Sequence, residues 1–135
     1  MNSVVLDTNI IISAALVSLG KPAKIIELIS DDKLELIYSD SILNEYEDVL
    51  SRERLGFSIE AQRAAIDMIV DKGTLVEANV SSTPMIDEDD RVFYDTAITA
   101  NAILITGNKK HFPVGPMVMT PNEFLDTFDK ISKKG

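Results

Sequence analysis

Short runs of apolar residues alternate along the chain with longer stretches in which apolar residues recur every three or four positions. The runs predict strands, and the periodic stretches predict amphipathic helices. Capping side chains at Ser39-Asp40-Ser41 precede one of the stretches, and Gly73 follows another as a C-cap. Strands are predicted at about 3–6, 34–38, 75–78, 103–106 and 117–119, and helices at about 22–30, 42–50, 58–72, 87–101 and 121–131.

The alternation of strands and helices predicts the fold class. Strands that alternate with helices form βαβ units, in which the strands pair in parallel. The runs 3–6 and 103–105 are almost continuously apolar, which is typical of strands buried on both faces. We therefore expect a single α/β domain over residues 1–135, with its core at about 3–125. Its architecture is predicted to be three-layer α/β/α around a parallel sheet of about five strands.

Composition narrows the chemistry that such a domain can perform. The 135 residues contain no cysteine and one histidine, His111. Disulfides, thiol nucleophiles, zinc–thiolate centres and histidine-rich zinc sites are therefore excluded. No glycine-rich phosphate-binding motif and no serine nucleophile elbow is present. We expect His111 to be structural or exposed.

The charge balance is acidic. There are 13 Lys and Arg residues against 22 Asp and Glu, which gives a net charge of -9. That balance argues against a protein that coats nucleic acid or an anionic membrane, and it permits a cation binder. No signal peptide pattern is found, and the most apolar stretch, 4–19, is interrupted by polar residues. We expect a cytoplasmic protein that does not enter a membrane.

Four polar residues from distant parts of the chain are predicted to reach one edge of the sheet. Ligands of parallel α/β sheets bind outside the carboxyl ends of the strands, where the helices also begin. Asp7 and Asn108 follow predicted strands, whereas Glu45 and Asp90 lie in the first turns of predicted helices. Each also has a simpler interpretation as a turn residue, a helix cap or an exposed helix residue. Three carboxylates at one edge repel one another, which is unfavourable unless a cation neutralises them. Oxygen ligands suit Mg²⁺ or Mn²⁺ rather than zinc.

Three segments in this order resemble the PIN-domain family of nucleases, which includes the VapC-like toxins of toxin–antitoxin pairs. The first is the strand Val4–Leu6 followed by Asp7-Thr8-Asn9. The second is the acid-bearing helix 41–50, and the third is the acidic run 87–90 with the apolar strand and Thr-Gly-Asn that follow. The resemblance spans residues 3 to about 125.

The resemblance implies a PIN-like fold and a magnesium- or manganese-dependent endoribonuclease that leaves 5′-phosphate and 3′-hydroxyl ends. A metal ion would be bound directly by Asp7 and Asp90, with Glu45 contacting a bound water. Asn108 stands where many members have a fourth aspartate, and Asp95 is a further candidate catalytic acid that could instead pair with Arg91. The residues expected to support the carboxylates are Thr8, Asn9 and Thr106, and those expected to meet the RNA backbone are Arg52, Arg54, Arg91, Lys109 and Lys110.

The resemblance also implies partners, and alternatives to this function remain open at the level of the sequence. The partners would be RNA, a cognate antitoxin protein and a second copy of the chain in a homodimer. One alternative is a catalytically degenerate PIN module that acts through a protein partner, which Asn108 permits. Another is a receiver-like Mg²⁺-binding signalling module, which shares a five-stranded parallel sheet and clustered acids.

Overall fold

The structure is a computed structural model that describes residues 2–114 and 117–134, the last four by their backbone alone. Its strands are β1 (Ser3–Leu6), β2 (Glu35–Tyr38), β3 (Gly73–Leu75), β4 (Ile103–Ile105) and β5 (Val118–Met119). Its α-helices are α1 (Thr8–Leu16), α2 (Lys21–Ser30), α3 (Asp40–Leu50), α4 (Ile59–Lys72), α5 (Arg91–Ala100) and α6 (Pro121–Lys134). Short 3₁₀ helices lie at Glu53–Leu55, Glu88–Asp90 and Lys109–His111.

The five strands form one sheet in the order β3-β2-β1-β4-β5, and every neighbouring pair is parallel. Val4 of the central strand pairs with Leu36 on one side and with Ile103 on the other. The prediction of a three-layer α/β/α fold around a five-stranded parallel sheet is confirmed. A receiver-like sheet has the order 2-1-3-4-5, so the strand order does not match that alternative.

The centre of the sheet forms the core. Val4, Val5 and Leu6 of β1 have no exposed surface, and neither does Leu104 of β4. Helix α5 packs against β1, β2 and β4, while α4 packs against β2 and β3. Strands covered in this way need apolar side chains on both faces, which explains the continuous apolar runs in the sequence.

Helix α1 is the main element that the apolar pattern did not predict. It begins one residue after β1, because Asp7 ends the strand and its Oδ1 accepts a hydrogen bond from the backbone N–H of Thr8 at 2.7 Å. The run Ile10–Ile12 is β-branched and continuously apolar, so it lacks the spacing that marks an amphipathic helix. Because the helix follows the strand so closely, no glycine or proline lies between them to mark the boundary in the sequence.

The apolar stretch 4–19 is divided between β1 and α1, and it does not form one long helix. Within residues 2–114 and 117–134, no single helix is long and apolar enough to cross a membrane. Helices α1 and α2 meet that criterion only as a pair, by length and composition, and they are bent by 99° relative to each other. Their side chains at Ile10, Ile11, Ile25 and Ile29 are buried in the core.

Gly73 ends α4 and begins β3 in extended backbone, with φ −87° and ψ 162°. A Cβ atom at this position would lie 2.4 Å from the carbonyl oxygen of Ile69 and 2.8 Å from the ring of Tyr38. The helix and the neighbouring strand β2 therefore approach each other too closely for any side chain here. The strand predicted at 75–78 begins instead at Gly73, directly after the helix.

The predicted helix 87–101 consists of the 3₁₀ turn Glu88–Asp90 followed by α5, and a long loop precedes it. Two side chains of α5 hold this loop. The Arg91 guanidinium donates to the carbonyl oxygens of Ser81 and Thr83 at 2.8 and 2.7 Å. Asp95 Oδ2 accepts from the backbone N–H of Ser81 at 3.1 Å. The approach of the chain to Asp90 is therefore fixed by hydrogen bonds rather than by a strand or helix.

Candidate functional site

The carboxyl edge of the sheet gathers four of the predicted site residues. Asp7 follows β1, Asp90 directly precedes α5, and Asn108 lies two residues beyond Thr106 at the end of β4. Glu45 lies on α3, which begins after β2. Burial raises the pKa of Glu45 and of Asp90, and the charge of Asp7 adds to the rise at each of them.

Asp7 is the most enclosed of these carboxylates, with 9% of its surface exposed. Its Oδ1 accepts from the backbone N–H of Thr8, and its Oδ2 accepts from Thr106 Oγ1, both at 2.7 Å. Burial raises the pKa of Asp7 above its usual value, even though both hydrogen bonds act to lower it. The side chain is thus held in one orientation in an environment that disfavours its charge.

The loop after β4 is attached to the loop after β1 by polar groups. Thr106 is fully buried, and its Oγ1 also accepts from the backbone N–H of Asn108 at 3.0 Å. Asn9 Oδ1 accepts from the backbone N–H of Gly107 at 3.4 Å. Thr106 and Asn9 therefore lie where they can support the acidic site. Thr8 contributes its backbone N–H, while its buried Oγ1 finds no hydrogen-bond partner in the described part of the chain.

Asp90 has the most perturbed carboxyl group of the site. Burial, reinforced by the charge of Asp7, raises the pKa of Asp90 to about 6. Its Oδ2 is buried and has no hydrogen-bond partner among residues 2–114 and 117–134. A buried carboxylate oxygen without a donor is unfavourable, so this atom marks a place where a cation would be stabilising.

His111 lies beside Asp90, with its Nδ1 3.7 Å from Asp90 Oδ2. From the sequence, this residue is expected to be structural or exposed and to lie outside the site. The side chain is indeed half exposed, but the 3₁₀ turn Lys109–His111 carries it back to the acidic edge. The sequence does hold one indication of this position. His111 follows Asn108 by three residues, and one turn of 3₁₀ helix after the strand is enough to bring it back to the edge of the sheet.

Glu45 lies at the periphery of the acidic site and is partly exposed. Burial raises the pKa of Glu45, and neighbouring carboxylates, including Asp7, raise it further. The next residue, Tyr46, is fully buried and donates its hydroxyl hydrogen to the carbonyl oxygen of Leu6. This bond ties α3 to the residue before Asp7 and so fixes the position of Glu45 relative to Asp7.

The donor set of the site consists of oxygen atoms, apart from the neighbouring imidazole. In the portion of the chain that the structure describes, no three His, Cys, Asp or Glu side chains lie close enough together to form a cage around a metal ion. Mg²⁺ does not require such a cage, because it keeps several water ligands and is bound by one or two carboxylates. The pair of Asp7 and Asp90, with the unpartnered Oδ2 of Asp90, fits that mode of binding.

Asp95 lies apart from this arrangement. It is 4% exposed and lines a different cavity with Ser39 and Thr96. The spacing along the helix would allow an ion pair between Asp95 and Arg91, but both side chains hydrogen-bond to Ser81 instead. The structure therefore places Asp95 against the loop that leads to Asp90, and its catalytic role stays a prediction.

Three of the basic residues predicted to meet RNA are engaged with acids of this chain. Arg52 contacts Asp48 at 3.2 Å, Arg91 contacts Glu88 at 2.7 Å and Lys109 contacts Glu123 at 3.1 Å. Arg54 and Lys110 are exposed. Most of the basic side chains expected to meet RNA are therefore paired with acids of this chain, which agrees with the net charge of -9.

Comparison with known proteins gives matches over most of the chain. The family model described as PIN domain matches residues 3–110. Uncharacterized protein MJ1680 of Methanocaldococcus jannaschii is 30% identical over 142 residues, covering 94% of this chain and 92% of that protein.

Two solved structures share the fold. One is the structure of VapBC2 from Rickettsia felis bound to a DNA fragment from the VapBC2 promoter. It matches with a TM-score of 0.61 and 17% identity, over 87% of this chain and 98% of that one. VapBC-1 from nontypeable Haemophilus influenzae matches with a TM-score of 0.63 and 21% identity, over 89% of this chain and 98% of that one.

Proposed function

Since the chain belongs to the PIN-domain family, whose members are nucleases, we propose that it is a metal-dependent endoribonuclease. The observation that supports this most strongly is the burial of the Asp90 carboxyl group without a hydrogen-bond donor to its Oδ2 among the described residues. Its carboxyl group is partly buried beside Asp7, its pKa is raised to about 6, and its Oδ2 lacks a hydrogen-bond donor in the described chain. A pair of carboxylates in this condition is suited to share a cation.

We propose that the cation is Mg²⁺ or Mn²⁺, bound by Asp7 and Asp90, with Glu45 reaching a water of its shell. Both ions prefer oxygen ligands, and this site offers carboxylates, hydroxyls and an amide. When bound, the ion would lower the pKa of an attacking water and neutralise charge on the phosphate oxygens. A neutral Asn108 at the rim leaves one negative charge fewer to repel the RNA backbone.

The chain's own residues prepare this site. Thr106 donates to Asp7 Oδ2 and fixes the orientation of the carboxylate, since its own Oγ1 is held by the backbone N–H of Asn108. Burial of Asp7 excludes water from one side of the site and strengthens its interaction with a cation. His111 Nδ1 lies 3.7 Å from Asp90 Oδ2, so an imidazole nitrogen is available beside this carboxylate.

The biological setting that we propose is that of a cytoplasmic toxin with a cognate antitoxin. The resemblance in sequence to VapC-like toxins supports it, and two of the solved structures that share the fold are of VapBC proteins. A homodimer would widen the surface available to RNA, because three basic side chains of one protomer, Arg52, Arg91 and Lys109, are paired with acids of the same chain. A small basic or DNA-binding protein encoded in the adjacent reading frame would support this setting, whereas its absence would favour another role for the nuclease.

The direct test is cleavage of fluorescently labelled RNA by the purified protein. We expect cleavage with Mn²⁺ or Mg²⁺, none with EDTA, and recovery when the metal is restored in excess. The cut ends should carry 5′-phosphates, so that a 5′-phosphate-dependent exonuclease degrades the downstream fragments. Cleavage that continues in EDTA would contradict the proposal.

A catalytically degenerate PIN module is the second candidate, and Asn108 is the observation that favours it. A neutral amide at this position removes one carboxylate from the site. Calorimetric titration with Mg²⁺ and Mn²⁺ separates the two candidates. Binding at millimolar or lower concentration supports the nuclease, and the absence of binding together with the absence of cleavage supports the degenerate module.

A further inference from the structure

His111 is the one histidine of the chain, and the fold brings it to the acidic site. Its Nδ1 lies 3.7 Å from Asp90 Oδ2, and Asp90 is the one acid of residues 2–114 and 117–134 within ion-pair distance of the imidazole. Burial raises the pKa of Asp7 and of Asp90, and a protonated His111 opposes the rise at both. The imidazole is therefore close enough to act on both carboxylates of the proposed metal site.

The turn that carries His111 is anchored at both ends. The backbone N–H of Asn108 donates to Thr106 Oγ1 at 3.0 Å, and the same hydroxyl donates to Asp7 Oδ2. The backbone N–H of His111 donates to the carbonyl oxygen of Asn108 at 3.0 Å, and the next side chain, Phe112, is buried in the core. The backbone of His111 is thus positioned by a chain of hydrogen bonds that begins at Asp7.

The side chains of Asp90 and His111 are not held by each other. The distance of 3.7 Å is too long for a hydrogen bond, and Asp90 Oδ2 has no other partner in the described chain. Because Oδ2 is buried, an ion reaches it only if the carboxyl group or the imidazole turns. The last torsion of an aspartate is broad, and the imidazole has 49% of its side-chain surface exposed, so both groups can turn at low cost.

The distance between the two atoms suits ligands of one ion. Bonds to Mg²⁺ are about 2.1 Å long, so two ligands of an octahedral ion lie about 3.0 Å apart when adjacent and about 4.2 Å apart when opposite. The 3.7 Å between His111 Nδ1 and Asp90 Oδ2 falls between these values. Asp7, Asp90 and His111 do not yet form a closed cage in the part of the chain that the structure describes, so the ion would draw them together as it binds.

We propose that His111 is a nitrogen ligand of the metal ion in the acidic site, and that the site therefore prefers Mn²⁺ to Mg²⁺. The inference rests on the proposed function, which assigns a cation to Asp7 and Asp90. Mg²⁺ prefers oxygen ligands, whereas imidazole suits transition-metal ions. Because affinity for a site of this kind rises from Mn²⁺ to Co²⁺, the protein should bind Co²⁺ more tightly still.

The first test detects the nitrogen ligand directly, without any measurement of activity. The protein, freed of any affinity tag, is loaded with paramagnetic Mn²⁺, and the electron spin echo is examined for modulation by a bound nitrogen. Since the chain has one histidine, protein grown with ¹⁵N-labelled histidine assigns this modulation to His111 without a variant. We expect the modulation in the wild-type protein, with the change that the isotope causes. Bound Mn²⁺ without histidine modulation would overturn the inference.

The second test measures the preference between ions by calorimetric titration with Mg²⁺, Mn²⁺ and Co²⁺. His111→Gln removes the imidazole at an exposed position and should leave the fold intact. We expect its affinity for Mn²⁺ to fall about ten-fold or more, since even the loss of a group behind a ligand costs about 10- to 100-fold. Its affinity for Mg²⁺ should change little. Lys110→Gln, at the neighbouring exposed position of the same turn, should keep the ratio of the two affinities. An equal ratio in the wild type and His111→Gln would refute the ligand.

The outcomes separate this inference from the proposed function. Histidine modulation in a protein that cuts no RNA would contradict the proposed nuclease and still support His111 as a ligand. RNA cleavage by a Mn²⁺-loaded protein that lacks the modulation would support the nuclease and refute the ligand. A protein that binds none of the three ions at millimolar concentration would refute both.

Discussion

Thr106 Oγ1 lies 2.7 Å from Asp7 Oδ2, although the two residues are 99 positions apart in the sequence. Thr106 is fully buried, and the hydrogen bond joins the ends of the neighbouring strands β1 and β4. It acts on the site because a donor to a carboxylate both orients that group and stabilises its charge. The orientation of Asp7 therefore depends on a residue contributed by the other half of the chain.

Thr106→Val removes this donor while keeping the shape of the side chain. The pKa of Asp7, already raised by burial, should rise further, so the rise of RNA cleavage with pH should shift to higher pH. The free energy of unfolding should fall by about 1–3 kcal/mol, since the backbone N–H of Asn108 also loses its acceptor. A pH–rate profile and urea unfolding measure the two effects. Thr106→Ser keeps the hydroxyl and should stay near wild type, and a profile of Thr106→Val that does not move would contradict the proposed role.

Asp7→Asn and Asp90→Asn should each abolish metal-dependent cleavage of RNA, because each removes a carboxylate from the proposed metal site. Asp90→Asn is the cleaner of the two. Asp7 also accepts hydrogen bonds from Thr8 and Thr106, so its replacement should cost stability as well. Cleavage assays with circular dichroism as a check of folding measure this, with the exposed Asp67→Asn as an active control. Full cleavage by Asp7→Asn would indicate a contaminating nuclease.

The stability of the metal-free protein should depend on the titration of Asp90. The pKa of Asp90 is raised from 3.8 to about 6 in the folded protein, so the folded state holds this proton more tightly than the unfolded state. The resulting stabilisation is fully present below the unfolded pKa and is lost as pH rises through the folded value. Urea unfolding in EDTA at several values between about pH 4 and pH 7 should show this fall. The difference between wild type and Asp90→Asn isolates it from the other acids, and a difference that does not vary with pH would contradict the assignment.

Arg91→Ala should release the loop that leads to Asp90. The guanidinium donates to the carbonyl oxygens of Ser81 and Thr83 and pairs with Glu88, so its loss should lower the free energy of unfolding measurably in urea unfolding. Arg91→Lys should recover little, because an ammonium group cannot reach the three partners in one plane. Limited proteolysis should reveal faster cleavage between residues 79 and 87. Arg54→Ala, at an exposed position, is the control and should leave both measurements unchanged.

Gly73→Ala should destabilise the fold even though alanine is a better helix former than glycine. The added Cβ would lie 2.4 Å from the carbonyl oxygen of Ile69 and 2.8 Å from the Tyr38 ring, so the helix and strand must move apart. We expect a loss of about 1–3 kcal/mol in urea unfolding. Gly20→Ala offers a comparison, because its Cβ would meet no atom closer than 3.4 Å. Equal losses at the two positions would show that the close approach at Gly73 is not responsible.

The apolar pattern of the sequence predicted the fold well where elements are separated by polar turns. Strands buried on both faces and helices with one apolar face both leave a periodic signal, and the five strands follow from it. Helix α1 left no periodic signal, because its isoleucines are consecutive and Asp7 is the only residue between strand β1 and the helix. The shift of β3 to Gly73 has a similar cause, since the strand begins directly where α4 ends.

The candidate site was predictable in part for a topological reason. Residues that follow parallel strands meet at one edge, so Asp7 and Asn108 could be expected together without knowledge of side-chain contacts. The position of His111 beside Asp90 depends on a short 3₁₀ turn, which hydrophobic spacing does not reveal. The attachment of Asp95 to Ser81 depends on the path of an irregular loop, for which the sequence carries no periodic signal.

Asp7 ends β1, caps α1 and carries a carboxylate of the acidic site, so a single side chain serves both folding and the proposed chemistry. Asp90 Oδ2, in contrast, makes no hydrogen bond within the described residues. A chain of this fold that had lost its activity would therefore still gain from keeping an aspartate at position 7, whereas its fold would not need one at position 90. When related sequences are sorted into active nucleases and inactive scaffolds, the residue at position 90 should be the more informative marker.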